Sequence, residues 1–297
     1  MKGKDRLRRT LLFVSAQTPG FMKEAYIYKS DSLILDLEDS VAEAQKDAAR
    51  FSLYHALKSV DFMGTERIVR INGLDTPHWR EDIRAAVAGG ADTIRIAKCE
   101  SAGDVQAVEA AIEAAEAEFG RSGTLVMAAL ESPAGVLNAL EICKASGRLV
   151  GVAISGGDFR KAMQTRYYPA GHELAAARGN LLLAARAAGV QAYDTVFTDL
   201  QDVEGFYAET QVAKEMGFDG KSVVVPQQVP IVHSVFAPSE KEIIEAERTV
   251  RAIVENADKG IGIFSLDGKM LDVAFLPGAQ RVLKMAKASG LYEGDLV

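Results

Sequence analysis

Residues 32–39 read Ser-Leu-Ile-Leu-Asp-Leu-Glu-Asp. The apolar part does not alternate with polar residues, as a strand covered on both faces by helices requires. It closes on the carboxylates Asp36, Glu38 and Asp39. A strand buried on both sides whose C-terminal end carries acid groups is the pattern of a parallel α/β protein with its chemistry at the strand ends. Working outward, seven further short runs of the same kind appear: Leu11–Val14, Arg67–Ile71, Thr93–Ile96, Leu125–Ala129, Leu149–Ile154, Thr195–Thr198 and Lys221–Val225. Between them lie helical stretches. Ala44–Lys58 is rich in Ala, Lys and Leu; Ala102–Phe119 carries Val105, Val108, Ile112 and Phe119 at helical spacing; Glu173–Ala188 stops before Gly189. Ser101 with Asp104 three residues on reads as a capping box.

Eight strand–helix units in 297 residues predict a closed (β/α)8 TIM barrel of class α/β. The rival is a doubly wound open sheet, which usually has fewer strands; no G-x-G-x-x-G turn follows any strand here. The barrel is expected over residues 1–236. Residues 237–297 read differently, as a C-terminal helix–hairpin–helix extension serving as a lid or an oligomerisation arm. Its first helix, Ser239–Asn256, opens with a second capping box at Ser239 and Glu242 and presents Ile243, Ile244, Val250 and Ile253 on one face. Ile261–Leu266 and Lys269–Val273 then flank Asp267-Gly268, a strong short-range hairpin signal, before a last helix near Gly278–Ala288.

Composition narrows the function. The net charge is −7, and no basic run offsets it, which argues against nucleic acid as a partner. The basic start, Met1–Arg9, is followed by an apolar run too short for a secretory signal, and no run approaches the length of a membrane span. With Cys99 and Cys143 as the only cysteines, no disulfide framework is expected. Together these features predict a cytoplasmic protein with a short flexible start and no membrane partner.

At the strand ends the polar residues are Asp36, Glu38, Asp39, Arg70, Asn72, Lys98, Glu131, Ser155-Gly156-Gly157-Asp158 and Asp199. Carboxylates with one Arg and one Lys, and no His, suit a hard cation: Mg²⁺ takes one or two carboxylates, waters and substrate oxygens. Glu131 and Asp158 follow adjacent strands and are the candidate metal ligands, with Glu38 and Asp39 placed to hold the ion's waters. Arg70 is a candidate fork for a substrate carboxylate. Gly157 lets backbone approach a ligand closely. Structural roles compete at several positions: Asp199 as the cap of the next helix, Asp36 as a buried support, Lys98 as a simple ion-pair partner, and Arg70-Ile71-Asn72-Gly73 as an ordinary turn. The four histidines (55, 78, 172 and 233) show no ligand spacing, and Cys99 reads as a small buried residue.

The stretches Leu33–Val41, Val69–Asn72, Ala129–Pro133, Gly217–Ser222 (GFDGKS) and Ser265–Asp272 (SLDGKMLD) resemble the citrate lyase beta subunit and malyl-CoA lyase-like family, within the HpcH/HpaI aldolase superfamily. The resemblance runs from about Arg8 to the final helix. It implies a (β/α)8 barrel, a homotrimer or hexamer, bound Mg²⁺, and carbon–carbon cleavage of a citryl-like 3-hydroxyacyl thioester to a 2-oxoacid (oxaloacetate, pyruvate or glyoxylate) and an acetyl thioester. The carrier would be coenzyme A or an acyl carrier protein, and other citrate lyase subunits would be partners. By motif position it assigns Glu131 and Asp158 to the metal, Arg70 to the oxoacid, Glu38 and Asp39 to water on the ion, and Asp272 to acid/base work in a neighbouring subunit's site. Four stretches depart from the family pattern, one of them Arg160–Ala170 with Tyr167 and Tyr168. Ser15-Ala16-Gln17 stands for Pro-Gly-Asn, Ser155-Gly156-Gly157-Asp158 for Gly-Ala-Glu-Asp, and Val225-Pro226-Gln227-Gln228 for Asn-Pro-Arg-Gln. They border the mouth where substrate would lie, Gly157 and Pro226 among its contacts. An aldolase acting on a free hydroxy-oxoacid, or a partner-dependent subunit without activity of its own, are the alternative readings.

Overall fold

The computed structural model describes Gly3 and Arg6–Val297. Of the short flexible start expected from the sequence, Met1, Lys2, Lys4 and Asp5 lie outside the described residues. The chain forms two compact units, the second comprising Ser234–Val297.

The first unit is a closed parallel barrel of eight strands in sequential order. They are β1 Thr10–Ser15, β2 Ser32–Asp36, β3 Glu66–Ile71, β4 Thr93–Ile96, β5 Leu125–Leu130, β6 Leu149–Ile154, β7 Gln191–Asp194 and β8 Gly220–Val223. Closure is made by β8 on β1, with Thr10 opposite Lys221 and Leu12 opposite Val223. Helices connect the strands, so almost every strand residue is buried, as the unalternating apolar runs require. Inside the barrel Leu11, Ile34, Ile68, Met127, Val150 and Tyr193 pack together.

Seven strands fall where the sequence places them. The seventh does not: the run Thr195–Thr198 is the loop after the strand, and β7 is the polar-looking Gln191-Ala-Tyr-Asp194. The physical reason is charge pairing. Asp194 is fully buried, yet Arg178 donates to both its oxygens (2.8 and 2.9 Å) and Lys221 Nζ adds a third contact at 2.9 Å. A paired carboxylate is tolerated in a core strand, and no apolarity signal reveals it. Phe197 of the expected strand instead packs its ring against Tyr167 and Phe206 in the loop layer. Asp199, expected to cap the next helix, accepts from Gln201 N; the cap of Val203–Met216 is Asp202, which accepts from Gly205 N.

At the strand starts a second buried ionic group plugs the barrel. Arg8 grips Glu66 through Nε and Nη2 at 2.6 and 2.7 Å, and Ser32 and Thr93 hydroxyls donate to the same carboxylate. A buried ionic plug at the strand starts serves stability, the usual role of that end in this fold.

The second unit contains the helices Glu240–Asp258 and Leu276–Ala288, which pack through Ala246, Val250 and Leu283. The capping boxes expected at Ser101/Asp104 and Ser239/Glu242 are both formed. Between these two helices, β9 (Ile263–Leu266) and β10 (Lys269–Asp272) pair antiparallel across Asp267-Gly268, both of which have positive φ (50° and 78°), the backbone of a tight primed turn.

Candidate active site

At the C-terminal ends of β2, β3 and β4 the side chains form one chain of ion pairs. Arg70 donates to Asp36 Oδ1 and Oδ2 at 2.6 and 2.8 Å, and its Nη1 lies 2.9 Å from Glu38 Oε2. Lys98 Nζ donates to Glu38 Oε1 at 2.6 Å. Asp39 stands further off, 3.8–3.9 Å from Lys98 and Arg70, and like Lys98 is exposed. Burial alone would raise Asp36, but the Arg70 guanidinium holds it below the ordinary carboxylate range. Burial pushes Glu38 up, against Arg70 and Lys98, and Lys98 is raised to about 12 chiefly by its bond to Glu38. Lys98 reaches this position from a left-handed backbone conformation (φ 52°), rare for a residue with a side chain and concentrated at functional sites.

The geometry sharpens several sequence-based roles. Asp36 is a buried support. The Nε/Nη2 edge of Arg70, which would fork a substrate carboxylate, is engaged with Asp36, so Arg70 offers a substrate its remaining donors. Both oxygens of Glu38 are engaged by cations. Asn72 supports from outside, donating through its backbone and side chain to Asp82.

Glu131 is the exception in this saturated network. It follows β5 directly, at the junction with the helix Pro133–Leu137 that Ser132 caps through Gly135 N. It is buried, and neither carboxylate oxygen has a hydrogen-bond partner. Burial pushes it up to about 7, opposed by Arg70 and, without hydrogen-bond geometry, by the Lys98 backbone N–H. Asp158 enters from the first turn of the helix Gly156–Ala162 after β6. Glu131, Asp158 and Lys98 line one cavity of about 880 Å³. Asp158 also lines a neighbouring cavity of about 970 Å³ at the barrel mouth, together with Asp36, Asp39, Arg70, Arg95, Gly157 and Pro226. Among the described residues no group of three or more His, Cys, Asp or Glu is placed to hold an ion. Two acids on one cavity wall, Glu131 and Asp158, suit a cation that keeps most of its coordination for water and substrate, as Mg²⁺ does. An orphaned buried carboxylate that shares a cavity with a second acid is where such an ion would sit.

The two glycines before Asp158 have different jobs. Gly156 donates its N–H to Thr195 Oγ1 at 2.8 Å, and a Cβ there would meet that oxygen, Arg160 and Leu174 at 2.9–3.1 Å. A Cβ on Gly157 would meet nothing within 4 Å. Gly156→Ala is therefore expected to cost about 1–3 kcal/mol of stability. Gly157→Ala should leave the melting temperature unchanged and alter KM alone. Thermal melts and steady-state kinetics of the two variants check this.

Arg95 is the site residue that sequence reading misses. It lies on β4 directly beside Arg70 in the register, lines the larger cavity, and is 3% exposed. The signal was present in Thr-Ile-Arg-Ile, a charged residue inside an otherwise apolar strand. Asp272, assigned by motif to acid/base work, lies on β10 of the second unit, where one oxygen accepts from Ala274 N.

Comparison with known proteins agrees with this geometry. The family model HpcH/HpaI aldolase/citrate lyase matches residues 9–226. The citrate lyase subunit beta of Leuconostoc mesenteroides subsp. cremoris is 48% identical over 293 residues, covering 98% of this chain and 97% of that protein. A (3S)-malyl-CoA thioesterase of Cereibacter sphaeroides is 36% identical over 287 residues, with 97% of each chain covered. Among solved structures, CitE from Mycobacterium tuberculosis in complex with magnesium, acetoacetate and coenzyme A superposes with a TM-score of 0.76 at 31% identity, covering 94% of this chain and 98% of that one. A closed barrel with an orphaned Glu131 beside Asp158, matched by a family model over most of its length and by relatives over nearly all of it, makes this chain a lyase of the HpcH/HpaI aldolase/citrate lyase family.

Proposed function

We propose that the protein is a Mg²⁺-dependent carbon–carbon lyase that cleaves a citryl-like 3-hydroxyacyl thioester into a 2-oxoacid and an acetyl thioester. The observation that carries this reading is the buried, unpartnered carboxylate of Glu131, sharing a cavity with Asp158 beside the Arg70 network. Mg²⁺ held by Glu131 and Asp158 would supply Lewis-acid polarisation of the substrate's hydroxyl and carboxylate oxygens. Arg70, fixed by Asp36 and Glu38, offers its remaining donors to the carboxylate on the hydroxyl-bearing carbon. Lys98 and Arg70 hold Glu38 in place next to that position. Phe13, Phe21, Tyr28, Val224 and Pro226 form an apolar wall in the larger cavity suited to the thioester arm.

In cleavage a carboxylate base takes the hydroxyl proton, C3–O becomes a carbonyl, the C2–C3 bond breaks and its electron pair stays on C2 as the thioester enolate. A carboxyl group must then deliver a proton to C2. Asp272 is assigned that proton transfer, acting from the extension in a neighbouring subunit's site of a homotrimer or hexamer. The relatives support this reading; magnesium is named in the CitE complex and a coenzyme A thioester in the Cereibacter enzyme's name.

The test offers citryl-, citramalyl- and malyl-coenzyme A, and then the citryl-loaded acyl carrier protein, to purified protein with Mg²⁺. Release of an oxoacid together with an acetyl thioester is expected from one of them. Hydrolysis without carbon–carbon cleavage, or activity on a free hydroxy-oxoacid, would replace the proposal. Asp272→Asn is expected to lower turnover by roughly 10²–10⁴-fold, the usual contribution of a general acid or base, with Mg²⁺ affinity unchanged. Near-normal turnover in that variant would remove Asp272 from the reaction.

A further inference from the structure

Lys46 is a buried cation whose bonds all go to backbone. It opens the helix Lys46–Ser59 after β2, is 7% exposed, and its Nζ donates to the Leu37 and Glu38 carbonyl oxygens, each at 2.8 Å. Among the described residues it makes no ion pair, whereas the buried Arg8, Arg178 and Lys221 each sit on a carboxylate. Its placement works against stability twice. Enclosing an ammonium away from water is costly, and the first turn of a helix is the positive end of its dipole. What Lys46 secures is the loop at the end of β2. Glu38 N donates to Asp36 Oδ1 at 3.0 Å, and the Glu38 carbonyl accepts from Val41 N at 3.0 Å as well as from Lys46. Arg70 and Lys98 hold the Glu38 carboxylate at 2.9 and 2.6 Å. Of these partners Lys46 alone belongs to the helix that follows, so it ties the Glu38 backbone to the helical layer while the other two cations fix the side chain.

We propose that Lys46 is a positioning residue for the metal site: its clamp on Leu37 and Glu38 holds the Glu38 carboxylate where the ion's waters lie, so that its loss loosens Mg²⁺ and not only the fold. The inference rests on the lyase reading, in which Glu131 and Asp158 bind the ion and Glu38 its waters. Glu38 is joined to that place through Lys98, which bonds it and lines the cavity of Glu131 and Asp158. Its charge is felt there as well: Glu131, pushed up by burial, is pushed further by Glu38. Groups that orient the partners of a bound metal change its affinity without touching the ion. Lys46 stands one step further out, and a buried ammonium bonded to two successive carbonyls fixes a peptide more firmly than a neutral side chain would.

The experiment is calorimetric titration of the full chain with Mg²⁺ in wild type, Lys46→Met, Glu38→Gln and the double variant, with thermal melts of each. Lys46→Met fills similar space without charge and should raise the Mg²⁺ Kd by roughly 10–100-fold, the usual effect of losing an outer partner of a metal site. Because Lys46 acts through Glu38, adding Lys46→Met to Glu38→Gln should raise the Kd by less than about 3-fold more. A lower melting temperature with an unchanged Kd marks a purely structural lysine and overturns the assignment. Losses that multiply in the double variant overturn it too. If Lys46→Met does not fold, Lys46→Gln, which keeps a neutral donor on a shorter stem, must raise the Kd by more than about 3-fold, and an unchanged Kd overturns the assignment. The expected Mg²⁺ pattern in a protein that cleaves no thioester would end the lyase reading and leave Lys46 assigned. Wild type that binds no Mg²⁺ would end both.

Discussion

Replacing Glu131 by Met is expected to stabilise the metal-free protein and to abolish its response to Mg²⁺. The carboxylate is buried without a hydrogen bond, a condition that costs about 2 kcal/mol or more, and methionine fills the space with no polar atom to desolvate. In a chain of this size that corresponds to a rise of about 4–8 °C in melting temperature. Wild type should gain about 2.7 kcal/mol when Mg²⁺ is raised to about 100 times its Kd, whereas the variant should gain nothing. Thermal melts across a Mg²⁺ series read both effects. The opposite pattern, a less stable variant that still responds to Mg²⁺, would mean that Glu131 serves the fold and the ion sits elsewhere. A residue that weakens the fold and enables the chemistry is what a stability–activity trade-off at an active site predicts.

Asp194→Ala is expected to act in the other direction. It leaves Arg178 and Lys221 buried beside Glu209, at 3.6 and 2.6 Å, without the carboxylate that both contact most directly. Breaking a buried ion pair from one side costs about 3–5 kcal/mol, so the melting temperature should fall by about 6–20 °C. The double variant with Lys221→Met should lose less than the sum of the two single losses, because each removes the other's stranded partner. The acid limb of the stability curve should change as well. Burial alone would raise Asp194, but Lys221 and Arg178 outweigh it and hold the carboxyl below its ordinary value. Its contribution is therefore present above about pH 4, the pKa of an unfolded aspartate, and is lost as pH falls through the lower folded value. Denaturant titrations between neutral and acid pH should show a steeper acid loss in wild type than in Asp194→Ala.

These two carboxylates also show what the amino-acid sequence discloses. The Leu33–Asp39 run is legible because burial on both faces leaves an unbroken apolar record, and a barrel places the acids after it at the mouth. Glu131 and Asp158 are legible for the same reason, each standing just past such a run. Asp194 hides β7, because the cations that make it tolerable, Arg178 and Lys221, are distant in sequence and only the fold brings them together. Arg95 hides for a related reason: inside a strand its charge reads as an exposed face, whereas β4 has no exposed face. The GFDGKS stretch, read as a family signature, is explained by packing. Lys221 neutralises Asp194, and a Cβ on Gly220 would lie 2.0 Å from the Arg8 carbonyl oxygen where β8 closes the barrel. Of the stretches that depart from the family pattern, three contribute Ser15, Gly157, Pro226 and Gln227 to the larger cavity, and Arg160–Ala170 contributes Lys161 and Ala162 to the cavity that Glu131 and Asp158 line.

The most direct measurement is oxoacid release from the citryl thioester with and without Mg²⁺, in wild type and in Glu131→Met. The account predicts release that a chelator stops, that added Mg²⁺ restores, and that the folded variant lacks at every Mg²⁺ concentration. Release that persists in the chelator, or in the variant, would contradict it.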